Sequence, residues 1–201
     1  MVKHADAGVN GPSGPHGCMR WGRLGILAGA RGDSKMGIDE ETIEETASYV
    51  AIQRLLAAYA DTVNRRAWGE LSELFLEDAT IDVTPLQRPP LQLAGPEALG
   101  RFIDGAIERF DFFQFVFHNS RLQIQLDANE ARARNYISEY RRETASGEWT
   151  QVFGVYHDRY RRIEGRWWFE HRSFSPLASS GSDNRVFAFP TGFEAILSGN
   201  G

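Results

Sequence analysis

The sequence predicts an α+β fold, a cone-shaped α+β barrel in which three N-terminal helices pack on a curved antiparallel sheet. Three observations predict it. Apolar residues recur at three- and four-residue steps as far as Val63, period-two alternation dominates from about residue 112 to 174, and the alternating runs are joined by short turns. Helices that cover one concave face of such a sheet leave a cavity inside the cone.

The first helix is placed at residues 39–65. Asp39, Glu40, Glu41, Glu44 and Glu45 put negative charge at its N-terminus, where the helix dipole favours it. Ile52, Leu55, Leu56, Tyr59 and Val63 form its apolar stripe, and Asn64 falls at the edge of that stripe. Trp68, Leu71, Leu74 and Phe75 share one face of a short second helix, and Glu77-Asp78 turns into a strand at Thr80–Val83. The proline-rich stretch from Pro85 to Pro96 reads as a loop. Pro96 sits at the first position of a third helix that buries Leu99, Phe102, Ile103 and Ile107. Strands follow at 112–126, about 130–142, about 148–162 and about 166–174. Turns at Asp127-Ala128-Asn129, Ala145-Ser146-Gly147 and Glu164-Gly165 make them consecutive hairpins.

Residues 1–37 contain nine of the chain's twenty glycines together with Pro12 and Pro15, and are expected to be a flexible N-terminal segment. Residues 38–178 form the expected domain, and 179–201 a C-terminal extension whose Val186–Phe193 stretch is expected across the pocket mouth or an interface. The formal charge is −5, with the first 35 residues carrying a balance of +3. An acidic body without a basic, aromatic-interleaved stripe argues against a nucleic-acid partner. The run Leu24–Ala30 is too short for a membrane span, although with Arg20 and Arg23 before it there is a faint echo of a signal peptide. Cys18 is the single cysteine, so an intramolecular disulfide and a thiolate metal cluster are both excluded. The default location is cytoplasmic. No spacing of His157, His171 and a carboxylate suits a metal, and neither metal nor cofactor is expected.

The candidate site comes from periodicity. Parity counted back from Leu122, Ile124 and Leu126 puts His118 with Val116 on the apolar face of its strand, opposite a helix that bears Tyr59 and Asn64. A histidine so placed is either an acid/base group in a closed pocket or a hydrogen-bonded core histidine. Tyr59 is either a donor to a substrate carbonyl oxygen or a core tyrosine. Val63, Trp68, Val116, Phe153 and Tyr156 are expected to line the substrate pocket. Asp158 shares parity with Tyr156 and either enters the cavity or pairs with an arginine of a neighbouring strand; the structural ion pair is expected, because Arg132, Arg134 and Arg172 are available as partners.

Tyr59 and Asn64 ahead of Arg65-Arg66-Ala67-Trp68, then Leu74–Ala79, Phe117-His118-Asn119, Gly154–Tyr160 and Ile163–Phe169 with His171-Arg172, resemble the nuclear transport factor 2-like superfamily, nearest its SnoaL-like branch. The resemblance covers roughly residues 40–175. It implies a scaffold shared by enzymes, ligand binders and assembly subunits. Among its enzymes, scytalone dehydratase and the bile-acid dehydratases place a tyrosine, an aspartate and a histidine where this chain has Tyr59, Asn64 and His118. Asparagine can orient an imidazole but cannot stabilise its charged form.

The expected function is thus a cofactor-independent lyase or isomerase, dehydratase-like, acting on a hydrophobic polycyclic or aromatic small molecule. The alternative is a non-catalytic ligand-binding or assembly protein of the same fold. A homo-oligomer, dimer or trimer, is expected, with Tyr136, Tyr140, Trp167 and Trp168 offering aromatic surface.

Overall fold

The computed structural model of the chain describes residues 39–84, 89–181 and 184–190. The N-terminal segment expected at 1–37 and the final residues 191–201 lie outside the described residues.

Helix α1 spans Glu40–Arg65. Asp39 caps it by accepting the Thr42 amide at 2.7 Å, which holds the Asp39 carboxyl below its usual pKa. Its end is a left-handed turn at Arg66, φ 56°, where the Arg66 amide donates to Val63 O and the Ala67 amide to Thr62 O. The expected short second helix follows as a 3-10 helix, Trp68–Glu73. Strand β1 is Phe75–Val83, longer than the four residues expected, and β2 is Leu91–Ala94. The latter corrects the loop reading. Although the stretch is proline-rich, residues 91–94 contain no proline and pair antiparallel with Thr80–Val83. Helix α2, Gly95–Ile107, begins with Pro96 in its first turn.

Four long strands complete the sheet: β3 Phe110–Gln125, β4 Glu130–Glu143, β5 Trp149–Ile163 and β6 Arg166–Ser180. A short β7, Arg185–Val186, pairs with Ala178 and Ser179 of β6. The spatial order is β2-β1-β6-β5-β4-β3, an unclosed curved sheet. All neighbours are antiparallel except β1 and β6, which run parallel with Ile81 beside Arg172. The sequence gives no local signal for that pairing, because it joins segments about ninety residues apart with a helix and four strands between them.

Alternation along the strands puts Ala79, Ile81, Ala131, Ala133, Ile137, Tyr156, Tyr160 and Phe169 on the concave face, where they meet Ile52, Leu55, Leu56, Tyr59 and Val63 of α1. Trp167 is also in this core, so it is not part of the outer aromatic surface to which the sequence assigns it.

Candidate functional site

Tyr59 is the centre of the concave face. Its ring is 2% exposed and lies edge-on to Phe75, Phe115, Tyr156 and Phe169, with centroids 5.9, 5.6, 6.4 and 5.9 Å away. Beneath it sits a cation. Arg172 has no exposed surface, and its guanidinium carbon is 4.1 Å from the centroid of Tyr59, 4.2 Å from that of Tyr156 and 4.3 Å from that of Phe169.

Burial opposes charge on Arg172, but the carboxylate of Asp158 outweighs it and holds the guanidinium charged. Arg172 Nε donates to Asp158 Oδ1 at 2.7 Å and Nη2 to Oδ2 at 2.8 Å. Oδ2 also accepts from Asn135 Nδ2 at 2.6 Å and from the Tyr160 hydroxyl at 3.2 Å. Arg172 Nη1 and Asn135 Oδ1 alone in this network meet no hydrogen-bond partner. A buried donor of this kind is costly unless something accepts from it. Burial pushes up the phenol pKa of Tyr59, against the pull of Arg172, and pushes that of Tyr156 well up, so both are proton donors in the resting site.

A carboxylate lies further along this face. Glu139 follows Ile137 by two residues on β4, pairs in register with Phe115 and Val152, and has a side chain only 13% exposed. It is ion-paired to Arg141, and its charge contributes to the raised pKa of Tyr156. Neither Glu139 nor Arg172 belonged to the expected constellation. The alternation Ala131, Ala133, Asn135, Ile137, Glu139 is the signal that points to the first.

The expected residues do not form one constellation. Asn64 is exposed, and its amide grips the backbone of Phe115: Nδ2 donates to Phe115 O at 2.9 Å and Oδ1 accepts from Phe115 N at 2.7 Å. His118 is exposed on the outer face and contacts Ser138 Oγ at 2.5 Å through Nε2. The inward parity assigned to it fails because of a bulge. Phe117 pairs with Ile137 but Ser120 with Asn135, so β3 carries His118 and Asn119 opposite Tyr136 alone. Leu122 and Ile124 point inward after the bulge; before it, the inward residues are Phe115 and Phe117.

Val63 and Tyr156 join the core around Tyr59, whereas Val116 and Phe153 flank Ser138 on the outer face, Phe153 being 38% exposed. The same parity flip moves Val116, and Phe153 alternates with the inward Val152 and Gly154. Trp68 is half-buried, and its indole N–H donates to Asp104 Oδ1 at 2.9 Å. Asp158 is in the expected structural pair, with Arg172 as its partner. The described end of the chain runs towards the outer face: Phe187 N donates to Leu177 O, and the Phe189 ring lies 6.0 Å from Arg134. An open surface groove of about 840 Å3 between Leu76, Ile163 and Glu170 involves none of the expected pocket residues.

Among the described residues no group of three or more His, Cys, Asp or Glu side chains is placed to hold a metal ion, and no helix is long and apolar enough to cross a membrane.

Comparison with known proteins agrees with this architecture. A family model described as a SnoaL-like domain matches residues 44–173. A solved structure from Novosphingobium aromaticivorans, provisionally assigned as a scytalone dehydratase, is 22% identical with a TM-score of 0.63, covering 75% of this chain and 97% of that one. The hexachlorocyclohexane dehydrochlorinase LinA-type3 of Novosphingobium barchaimii is 21% identical with a TM-score of 0.62, covering 74% and 99%. An NTF2-like protein with a cystatin-like fold from N. aromaticivorans is 18% identical with a TM-score of 0.58, covering 79% and 97%. The search of curated proteins finds no match. At these identities the solved structures establish the fold alone.

Proposed function

The chain belongs to the SnoaL-like domain family of nuclear transport factor 2-like folds, and we propose that it is a cofactor-independent, dehydratase-like lyase acting on a hydrophobic, aromatic or polycyclic, oxygenated small molecule. The observation that carries this reading is the Arg172 guanidinium, wholly buried under the phenols of Tyr59 and Tyr156 with Nη1 left without an acceptor. A substrate carbonyl oxygen is the acceptor that suits it.

In this reading Glu139 removes the proton next to that carbonyl and the electron pair moves onto the oxygen. The two phenols and Nη1 hold the resulting enolate, a charge-stabilising role that commonly supplies about 3 kcal/mol per donor. Collapse of the enolate expels a β-hydroxyl group, which leaves as water with the proton taken by Glu139. The base is placed on Glu139 rather than His118 because His118 faces away from Tyr59, and rather than Asp158 because both oxygens of Asp158 already accept hydrogen bonds.

Elimination of this kind creates a conjugated enone, so a panel of aromatic β-hydroxy ketones followed by ultraviolet absorbance tests the proposal. Growth of the enone band with the native chain, and its loss in Glu139→Gln, is the expected result; a panel that binds but never turns over favours the second reading. That reading, binding without chemistry, is favoured by one feature: Glu139 is already tied to Arg141.

A further inference from the structure

The sheet is unclosed, and β3 is its outermost strand on one side. The end of α1 plugs the first part of that edge: the Asn64 amide holds both backbone groups of Phe115, and Arg66 Nη2 donates to Phe110 O at 3.2 Å. Past the bulge at His118-Asn119 the edge is bare. Among the described residues nothing pairs with residues 120–125 on the side away from β4. The other edge of the sheet is the four-residue β2. Short edge strands and covered edges discourage pairing with another chain, and residues 120–125 of the long β3 have neither protection.

The register fixes which backbone groups point outward. Both groups of Phe115 face away from β4, so its neighbours Gln114 and Val116 bond to Tyr140 and Ser138. Counting by twos along β4, Arg134, Arg132 and Glu130 also turn towards β3, where they oppose Arg121, Gln123 and Gln125. Ser120, Leu122 and Ile124 therefore direct N–H and C=O at the open edge. The side chains alternate as well. Leu122 and Ile124 are half-buried against the core, whereas Arg121 and Gln125 are exposed with Gln123 between them on the outer face.

We propose that this edge pairs with the same edge of a second copy of the chain, antiparallel about a two-fold axis at Gln123, so that two sheets become one. The segment is complementary to itself in that register. Leu122 faces the partner's Ile124 and Ile124 the partner's Leu122, each as a hydrogen-bonded pair that buries the apolar surface left open on the concave side. On the outer face Gln123 meets the partner's Gln123, and Arg121 meets the partner's Gln125, so no like charges stand opposite each other. The charges also match. Glu130 lies across from Gln125, with a side chain 33% exposed, and its strand is two strand spacings, about 10 Å, from the partner's Arg121, a span the two long side chains close. A two-fold axis at Leu122 instead sets Ser120 against Ile124 and loses the apolar match.

The test is sedimentation velocity of the full chain over a range of micromolar concentrations. A reversible dimer is expected. Gln123→Glu and Gln123→Lys each set like charges across the axis and are expected to weaken it at least tenfold, while an equimolar mixture of the two recovers dimer as the mixed pair. Gln123→Glu, beside Arg132, keeps the test valid if Gln123→Lys fails to fold. Residues facing each other at the axis form a non-hydrogen-bonded pair with Cα atoms about 4.5 Å apart, within disulfide reach. Gln123→Cys in a Cys18→Ser background is therefore expected to cross-link on oxidation, and Arg101→Cys, at an exposed position of α2, is not. A chain that stays monomeric, an assembly that both Gln123 charge variants leave equally tight, or cross-linking no faster at 123 than at 101 overturns the proposal.

Discussion

Arg172 and Asp158 face each other in a fully buried two-point ion pair, Nε to Oδ1 at 2.7 Å and Nη2 to Oδ2 at 2.8 Å, at the bottom of the concave face. Removing either partner strands a charge in the core. Asp158→Ala and Arg172→Leu are each expected to destabilise the fold by about 3–5 kcal/mol. The double variant Asp158→Leu with Arg172→Met, which removes both charges, is expected to be more stable than either single one. Urea unfolding of the three proteins checks the order.

Asn64 and Phe115 make a second two-point contact, through a side-chain amide and a backbone. Asn64→Asp keeps the acceptor but sets a carboxylate oxygen against the Phe115 carbonyl. A loss of about 1–3 kcal/mol is expected, the cost of an unsatisfied buried group, with no gain in turnover. Denaturation midpoints and the enone assay measure the two halves of this prediction.

Much of the fold is legible in the sequence because its signals are local. The acidic start of α1, the Pro96 start of α2 and the hairpin turns at Asp127–Asn129 and Glu164-Gly165 lie next to the elements they punctuate. Beyond that range the sequence is silent. The parallel β1–β6 pairing and the choice of Arg172, among three arginines, as partner of Asp158 depend on residues far apart in the chain. The bulge at His118-Asn119 adds one residue without a glycine or proline to mark it, and a single added residue exchanges the two faces of a strand. For that reason the aromatic floor, Tyr59 and the inward alternation that ends at Glu139 are readable from spacing, while the faces taken by His118 and Val116 are not.

Gly154 is set by packing. A Cβ there would lie 2.4 Å from Phe174 Cε2 and 3.3 Å from Ile137 Cδ1, and Phe174 is itself packed on Tyr156 at 5.4 Å. Gly154→Ala is expected to cost about 1–3 kcal/mol by overpacking and to weaken ligand binding through displacement of Tyr156. Thermal melting and ligand titration of the same variant report both effects.

His157 sits against Arg134 on β4, and burial, followed by that arginine, lowers its pKa from 6.5 to about 4 despite the opposing charge of Asp158. The folded chain therefore binds this proton less readily than the unfolded chain. Stability from this group is complete above pH 6.5 and is lost as pH falls from 6.5 towards 4, and His171, also lowered, acts in the same direction. His157→Gln is expected to flatten the fall in denaturation midpoint between those pH values.

The central claim is that the buried guanidinium, the two phenols and Glu139 act together on a bound carbonyl compound. Once a β-hydroxy ketone substrate is found, single-turnover absorbance measurements on the native chain and on Glu139→Gln test it most directly. The account predicts that Glu139→Gln binds the compound with nearly unchanged affinity while enone formation slows by about 100-fold or more, as expected for a missing general base. Equal rates in the two proteins would contradict it.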